Sequence, residues 1–237
     1  MVYGREYISL IGNFMKCFRC GKSSVLYQRY SGRHLCAEHL CADIESRAKR
    51  VIRQNQWLIS GDRIGVVSGL PGSDALYVFL EHLVSRRTDI SVVRVFLPQF
   101  EGAIGSLSWY QTLSQKMSES GVTRVALTDC AEDLAEHTLF QIISGDADAL
   151  LSSDISCLAL PYMQPFREIP AGELLVYTRY NNGAMTEDTN NIHSHMSNSA
   201  ISSSIHILIR DFSSHHPSVS HALRRYRDNL REFANVE

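Results

Sequence analysis

Several features that would assign the chain to a special class are absent. No apolar run approaches the ~18 residues that a transmembrane helix needs, and the N-terminus has neither the charged segment nor the small-residue cleavage site of a signal peptide. The net charge of −2 lacks the overall basic bias of many nucleic-acid-binding proteins. Six cysteines at irregular spacing do not form a disulfide framework. With 44% hydrophobic residues, we expect a soluble, cytoplasmic globular protein.

Four residues near the N-terminus have the spacing of a metal site. Cys17 and Cys20 form one pair, and Cys36 and His39 form a second, each with two residues between its members. Such paired ligands close a tetrahedral structural zinc site. Cys41 is an alternative to His39, and four unrelated groups are the simpler interpretation. The spacing predicts a Zn2+-binding module over residues 15–42, after a tail of residues 1–14, with the metal supplying much of its stability.

Two stretches are rich in arginine. The first is a predicted connecting helix over 43–60, and the second is a predicted helix from His221 to Phe233 that follows a polar, Ser/Asn-rich loop in the segment 184–237. Such helices either contact an RNA backbone or are simply solvated faces. The candidate RNA-binding residues are Arg47, Lys49, Arg50, Arg53, Arg224, Arg225 and Arg227, with Arg231 beside them.

A strand, a glycine loop and a helix are predicted between Gly61 and Leu83. Ile64 to Val67 is a short β-branched run, residues 68–73 form a Gly/Pro/Ser turn, and an apolar helical face follows from Asp74. The first turn of a helix leaves N–H groups unpaired, so such a loop can bind phosphate. An ordinary strand-to-helix turn is the alternative, because the loop matches neither Walker A nor GxGxxG. The candidates are Ser68, Gly69, Gly72, Ser73 and Asp74.

Strands and helices alternate through the region 61–183. Further strands are predicted at 90–97 and 122–127, with a helix at 107–120 between them. This alternation predicts an α/β fold with a parallel sheet and helices on both faces. Ligands bind such sheets at the carboxyl ends of the strands. If the first and third strands are neighbours, residues 68–73 and 128–133 lie at the same edge.

The order of these segments resembles a known family. The N-terminal part contains, in order, the metal-ligand segments MKCFRCG and LCAEHL, the basic helix, and GDRIGVVSG with DAL. Two later segments follow, VALTDCAEDLAEHTLFQIISGD (125–146) and MQPFREIPAGELLVYTRYNNG (163–183). The chain resembles the PP-loop ATPases that thiolate tRNA, the 2-thiouridine synthetases with an N-terminal zinc module. The resemblance implies an adenine nucleotide alpha hydrolase-like fold, ATP with Mg2+, adenylation of a tRNA base before sulfur transfer, and Asp133 as a nucleotide-binding residue.

Several positions depart from the family pattern. The loop SGLPGSDAL is longer than the family's loop, and it has Ala75 where the family has serine. Thr128 and Asp129 replace a Gly-His pair, and Glu132 replaces an aspartate. ATP binding is therefore expected to be weakened.

The cysteines depart from the pattern as well. The family's Cys-x-x-Cys between the second and third strands and its later cysteine are missing, so no iron–sulfur cluster is expected. Cys130 is a weak candidate nucleophile, because Asp129 and Glu132 beside it would raise the pKa of its thiol; a small buried thiol is the alternative. Cys157 is a weaker candidate still.

Two functions of different classes follow from the resemblance. The favoured one is a degenerate paralogue in wobble-uridine thiolation that binds tRNA or an active partner. The alternative is an active ATP-dependent tRNA sulfurtransferase. The implied partners are tRNA, a second copy or an intact paralogue in a dimer, and a ubiquitin-like sulfur carrier. A function unrelated to RNA on the same fold is a third interpretation.

Overall fold

The computed structural model describes residues 15–70, 72–97, 106–152, 158–182 and 200–234. The predicted tail, Pro71, Cys157 and most of the predicted polar loop, with His193 and His195, lie outside these ranges. Within the described ranges, no helix combines the length and the apolar character needed to cross a membrane.

Strands and helices are interspersed along the described chain. The strands are β1 (Leu26–Gln28), β2 (Arg33–Leu35), β3 (Arg63–Ser68), β4 (Ser91–Phe96), β5 (Arg124–Ala126) and β6 (Tyr162–Met163). The helices are α1 (Ala37–Gln54), α2 (Ser73–Val84), α3 (Leu107–Glu119), α4 (Ala131–Ser144), α5 (Ala147–Leu151), α6 (Ala171–Asn182), α7 (Ala200–His215) and α8 (Val219–Ala234).

The larger sheet is parallel, as the sequence predicts. Its strand order is β4-β3-β5-β6, so the first and third predicted strands, β3 and β5, are neighbours. β3 pairs with β4 from Arg63 opposite Ser91 to Ser68 opposite Phe96. The fourth strand, β6, has only two residues and is not predicted by the sequence. β1 and β2 form a separate antiparallel hairpin.

Helices cover both faces of the sheet. On one face, Leu76 and Phe79 of α2 share a core with Phe166 and with Tyr177 of α6. On the other face, α3 packs its buried side chains on β3 and β5. The approach of α3 is close, because a Cβ on Gly65 of β3 would lie 2.6 Å from Met117 Sδ. The α/β architecture with a preceding Cys/His module is confirmed.

Two predicted boundaries are corrected. The helix predicted from Asp43 begins at Ala37, so the boundary between residues 42 and 43 falls inside α1. The predicted polar loop extends less far than expected, because α7 is helical from Ala200. Ile205 and Ile209 of α7 are buried against Ala135 of α4, and this contact explains why the segment is a helix despite its serines.

Candidate metal centre and phosphate loop

The four predicted metal ligands lie together. One ligand atom from each of Cys17, Cys20, Cys36 and His39 lies within 4.8 Å of the others. Cys20 Sγ and Cys36 Sγ are 3.7 Å apart, and His39 Nδ1 lies 3.3 Å from Cys36 Sγ and 3.4 Å from Cys17 Sγ. Ligands 2.0 to 2.3 Å from a tetrahedral Zn2+ are separated by about 3.5 to 3.8 Å. The donor set and its dimensions therefore fit one closed four-ligand metal site.

Local backbone geometry produces this arrangement. Gly21 has a φ of 72°, a left-handed conformation that glycine adopts readily. It closes a turn in which Gly21 N donates to Cys17 O at 3.0 Å and Cys17 N donates to Lys22 O at 2.7 Å. On the other side, Cys36 precedes α1 and His39 lies in its first turn. The turn and the helix start therefore present the two ligand pairs to each other.

The thiols of the region differ in character. Although burial opposes it, hydrogen bonds from backbone N–H groups, including that of Cys36, lower the pKa of the Cys17 thiol to about 6. A lowered pKa favours the thiolate, which is the form that binds metal. Cys41 is buried in α1 outside the cluster, and burial raises the pKa of its thiol to about 11. His39, not Cys41, completes the set.

The predicted phosphate loop joins β3 to α2. Gly69 and Gly72 have φ values of 85° and 75°, and Gly72 lies directly before α2. Thr128, which follows β5, lies at the same edge, since a Cβ on Gly72 would be 3.9 Å from Thr128 Cβ. Within the described ranges, the buried Oγ of Ser68 has no hydrogen-bond partner. The structure thus brings the two predicted segments together at the carboxyl ends of β3 and β5.

An arginine forms an ion pair with the carboxylate that follows this loop. Arg94 of β4 forms an ion pair with Asp74 in the first turn of α2. The guanidinium also lies 4.0 Å from the centroid of the Tyr77 ring, which fixes its position. Arg94 is not predicted from the sequence, where its signal is a charge within an otherwise β-branched strand.

The acidic residues at the start of α4 accept hydrogen bonds from backbone N–H groups and so stabilise the fold. Asp133 Oδ2 accepts a hydrogen bond from Cys130 N at 2.9 Å, and Glu132 Oε2 accepts one from Ala171 N at 2.9 Å, at the start of α6. Cys130 is fully buried. Burial, together with Asp133 and Glu132, raises the pKa of its thiol well above the ordinary value. A thiol in this state is a poor nucleophile.

The predicted RNA-binding arginines are divided between the interior and the surface. Arg47 pairs with Glu173 and with Asp43, 3.1 Å away. Arg227 is 1% exposed. A guanidinium in such a position cannot reach a phosphate in this conformation. We therefore correct the prediction by removing Arg47 and Arg227 from the RNA-binding candidates.

An acidic residue joins the two basic helices. Glu168 lies 2.9 Å from Arg50 of α1 and 3.2 Å from Arg224 of α8. Although burial opposes it, the pairing with Arg50 and Arg224 lowers the pKa of the Glu168 carboxyl. Lys49 pairs with Glu45 at 2.9 Å. The two helices therefore meet at Glu168, and Lys49, Arg50 and Arg224 are paired within the fold. The exposed Arg53 and Arg225 remain as RNA-binding candidates.

A polar network between the metal module and α6 was also missed. Tyr30 Oη donates to Glu173 Oε1 at 2.7 Å, and Gln28 Nε2 lies 3.3 Å from the same oxygen. Arg47 of α1 pairs with the other carboxylate oxygen. Burial raises the pKa of the Glu173 carboxyl, although Arg47 opposes this effect. The hairpin and the sheet domain are therefore joined through one buried carboxylate.

A histidine attaches α7 to α4, and this contact predicts a pH dependence. His206 Nδ1 lies 2.8 Å from Oε1 of the buried Glu136, and this contact raises the pKa of His206. The stabilisation is therefore fully present below the unfolded pKa of about 6.5 and is lost as pH rises through the folded value. We expect His206→Asn to lower the melting temperature more near pH 5.5 than near pH 8. The exposed His216→Asn is the control, and an equal loss at both pH values would contradict the prediction.

Comparisons with known proteins support the family resemblance. Residues 16–41 match the model of the family described as 2-thiouridine synthetase TtuA, N-terminal LIM domain. The chain is 46% identical over 44 residues to the tRNA 2-thiolation protein NcsA of Haloferax volcanii. It is 32% identical over 95 residues to a probable sulfurtransferase of Methanocaldococcus jannaschii. The predicted resemblance to the tRNA 2-thiolation family is confirmed.

The extent of these matches differs between sequence and structure. The matched segments are 19% and 40% of this chain, and 14% and 27% of the two relatives. The chain therefore spans well under a third of the curated relatives that it matches. A solved structure, the U34-tRNA thiolase NcsA from Methanococcus maripaludis, aligns with 92% of this chain and 88% of its own, at a TM-score of 0.74 and 15% identity. At that identity the match establishes the fold.

One prediction about cofactors is wrong. We expected no iron–sulfur cluster, because the family's cysteine motif is missing between the second and third strands. The solved neighbour carries a 4Fe–4S cluster, so this exclusion is overturned. The error has a physical reason: a cluster requires cysteine thiolates that lie close together in space, and a motif missing from one segment does not exclude that.

Proposed function

We propose that this chain acts in tRNA 2-thiolation as a tRNA-binding protein whose nucleotide loop is degenerate. The family relationship supports the process and the partner. One observation supports the degeneracy of the nucleotide loop. The carboxylates at the family's nucleotide positions, Asp74, Glu132 and Asp133, are already paired with other groups of the protein. A carboxylate that is already paired with another group of the protein is a weaker ligand for Mg2+. Its contacts also hold the neighbouring loop residues in place.

The metal centre belongs to the same proposal. Three cysteines and one histidine are nitrogen and sulfur ligands of the kind that hold structural Zn2+ and leave no coordination position open. Such an ion would supply folding free energy to a hairpin that is too small to fold alone. It would also hold Gln28 and Tyr30 against Glu173 of α6.

An active ATP-dependent sulfurtransferase is the second candidate, and one observation favours it. The buried Oγ of Ser68, at the first position of the family's loop, has no hydrogen-bond partner within the described ranges. A buried hydroxyl without a partner costs stability, so its retention is consistent with an incoming ligand.

Calorimetric titration with ATP and Mg2+ distinguishes the two candidates. We expect a dissociation constant for ATP above about 1 mM, which corresponds to a binding free energy of about −4 kcal/mol. Binding should be this weak because Arg94 pairs with Asp74 and Pro71 has no N–H to donate. Ser68→Ala tests whether any residual heat comes from the loop, with the exposed Ser85→Ala as its control. Tight ATP binding that Ser68→Ala abolishes, with ATP turnover when tRNA is added, would contradict a degenerate loop and support the active sulfurtransferase.

A further inference from the structure

The metal module has a charge unlike that of the rest of the chain. Residues 15–36 contain five basic and no acidic residues, whereas the whole chain has 23 basic and 25 acidic residues. Every one of the five is exposed; they are Lys16, Arg19, Lys22, Arg29 and Arg33. Lys22 pairs with Glu38 of α1, and Arg33 lies over the ring of Phe18. Lys16 and Arg19 lie on the surface of a segment that has no carboxylate side chain of its own.

Two aromatic side chains of the same small module have at least half of their surface exposed, whereas Tyr30, 40% exposed, donates to Glu173. Phe18 is 69% exposed, and the Arg33 guanidinium lies 5.2 Å from the centroid of its ring. Tyr27 is 50% exposed and stacks on His34 at 4.5 Å. Rings of this size normally contribute to a core. Here their faces lie on the surface, next to the basic side chains.

The backbone places the two rings on one hairpin. Phe18 N donates to His34 O at 2.8 Å, so the cysteine turn lies along β2. Arg33 and His34 are successive residues of β2 and therefore project to opposite sides. The two aromatic pairs thus flank one strand. Phe18 and Tyr27 therefore lie on opposite sides of the hairpin, and Phe18 is the ring that lies in the same turn as Lys16 and Arg19. A base of a splayed single strand could stack on Phe18, whereas a continuous duplex offers no free base faces.

We propose that residues 15–36 form an RNA-binding surface for an unpaired segment, with Lys16 and Arg19 on phosphates and Phe18 stacked on a base. Proteins that bind single-stranded RNA combine these two elements, basic side chains along the backbone and aromatic faces for bases. An acidic peptide would pair with the charges but would gain nothing from the exposed rings. The inference rests on the proposed function, because it takes tRNA as the RNA.

The test is binding of the full-length, metal-loaded protein to a transcribed tRNA and to a short single-stranded oligoribonucleotide, measured by fluorescence anisotropy over a range of salt concentrations. Lys16→Glu with Arg19→Glu should lower the slope of log K against log salt by about 1.4, since each phosphate contact on a single strand contributes about 0.7. Phe18→Ala should weaken binding about tenfold through the lost stacking. Arg86→Glu with Lys116→Glu, outside the module at an exposed position and at a half-buried one that pairs with Glu119, is the charge-matched control and should have a smaller effect. The metal content and melting temperature of each variant verify its fold.

The possible failures are distinguishable. Tight tRNA binding that the module variants reduce no more than the control pair would overturn this inference and leave the proposed function in place. Absence of wild-type binding to tRNA at low salt would overturn both. Polyglutamate binding as tight as RNA binding, with the same loss in Phe18→Ala, would contradict base stacking.

Discussion

Removing the metal from the full chain should unfold residues 15–36 and lower the melting temperature of the whole protein. The binding free energy of a structural metal in such a module is on the order of 10 kcal/mol, more than the hairpin can replace by packing. The loss should extend beyond the module because Gln28 and Tyr30 contact Glu173 of α6. Metal analysis should give one ion per chain, and a chelator should expose the cluster's thiols to a thiol reagent.

Matched variants separate a ligand from a neighbour of the same residue type. Cys36→Ser and His39→Ala should lose the metal. Cys41→Ser, in the same helix but outside the cluster, and His34→Ala, on the surface of the hairpin, should retain it. A chain that keeps its melting temperature in chelator, or a Cys41→Ser variant that loses the metal as completely as Cys36→Ser, would contradict the assignment.

Glu173→Ala should destabilise the protein by about 3 kcal/mol, toward the lower end of the values for breaking a buried ion pair. The change leaves the Arg47 guanidinium buried with Asp43 as its remaining charged partner, beside the Glu168 carbonyl oxygen, and it removes the acceptor of the Tyr30 hydroxyl. The midpoint of urea unfolding measures the effect.

Two further variants test the reason for this loss. Glu38→Ala removes an ion pair to Lys22 that is exposed on both sides, so no measurable change is expected. Arg47→Met combined with Glu173→Leu should recover much of the stability, because replacing both members of a buried pair by apolar groups leaves no unpaired charge. A double variant less stable than Glu173→Ala would show that the network stabilises the fold by more than charge pairing.

The sequence predicts the elements that depend on local patterns. The four metal ligands are found because a turn and a helix start fix their spacing, and β3, β4 and β5 because of their β-branched runs. β3 and β5 are mostly buried, whereas β4, expected to be buried, lies at the edge of the sheet and is largely exposed or half-buried. β6 is missed because two residues form no pattern. α7 is missed because serines between its isoleucines resemble a loop until Ile205 and Ile209 meet α4.

Side-chain partners distant in the chain could not be predicted. The arginines of α1 and α8 have the composition of an RNA-binding surface, but Glu168 lies far from both in sequence and pairs with each. Arg94 likewise meets Asp74 only because β4 lies beside β3. Composition indicates that a charge exists; only the fold shows whether that charge is already neutralised.

Reconstituted thiolation shows whether the chain is a degenerate tRNA-binding protein or an active sulfurtransferase. The full chain, loaded with zinc and treated anaerobically with iron and sulfide so that cluster loss cannot limit the reaction, is incubated with tRNA, ATP, Mg2+ and a sulfur donor. Digested tRNA is then analysed for 2-thiouridine by mass spectrometry. We expect the chain to bind tRNA but to form no 2-thiouridine by itself. Formation of 2-thiouridine that requires ATP and is lost in Ser68→Ala would contradict this expectation.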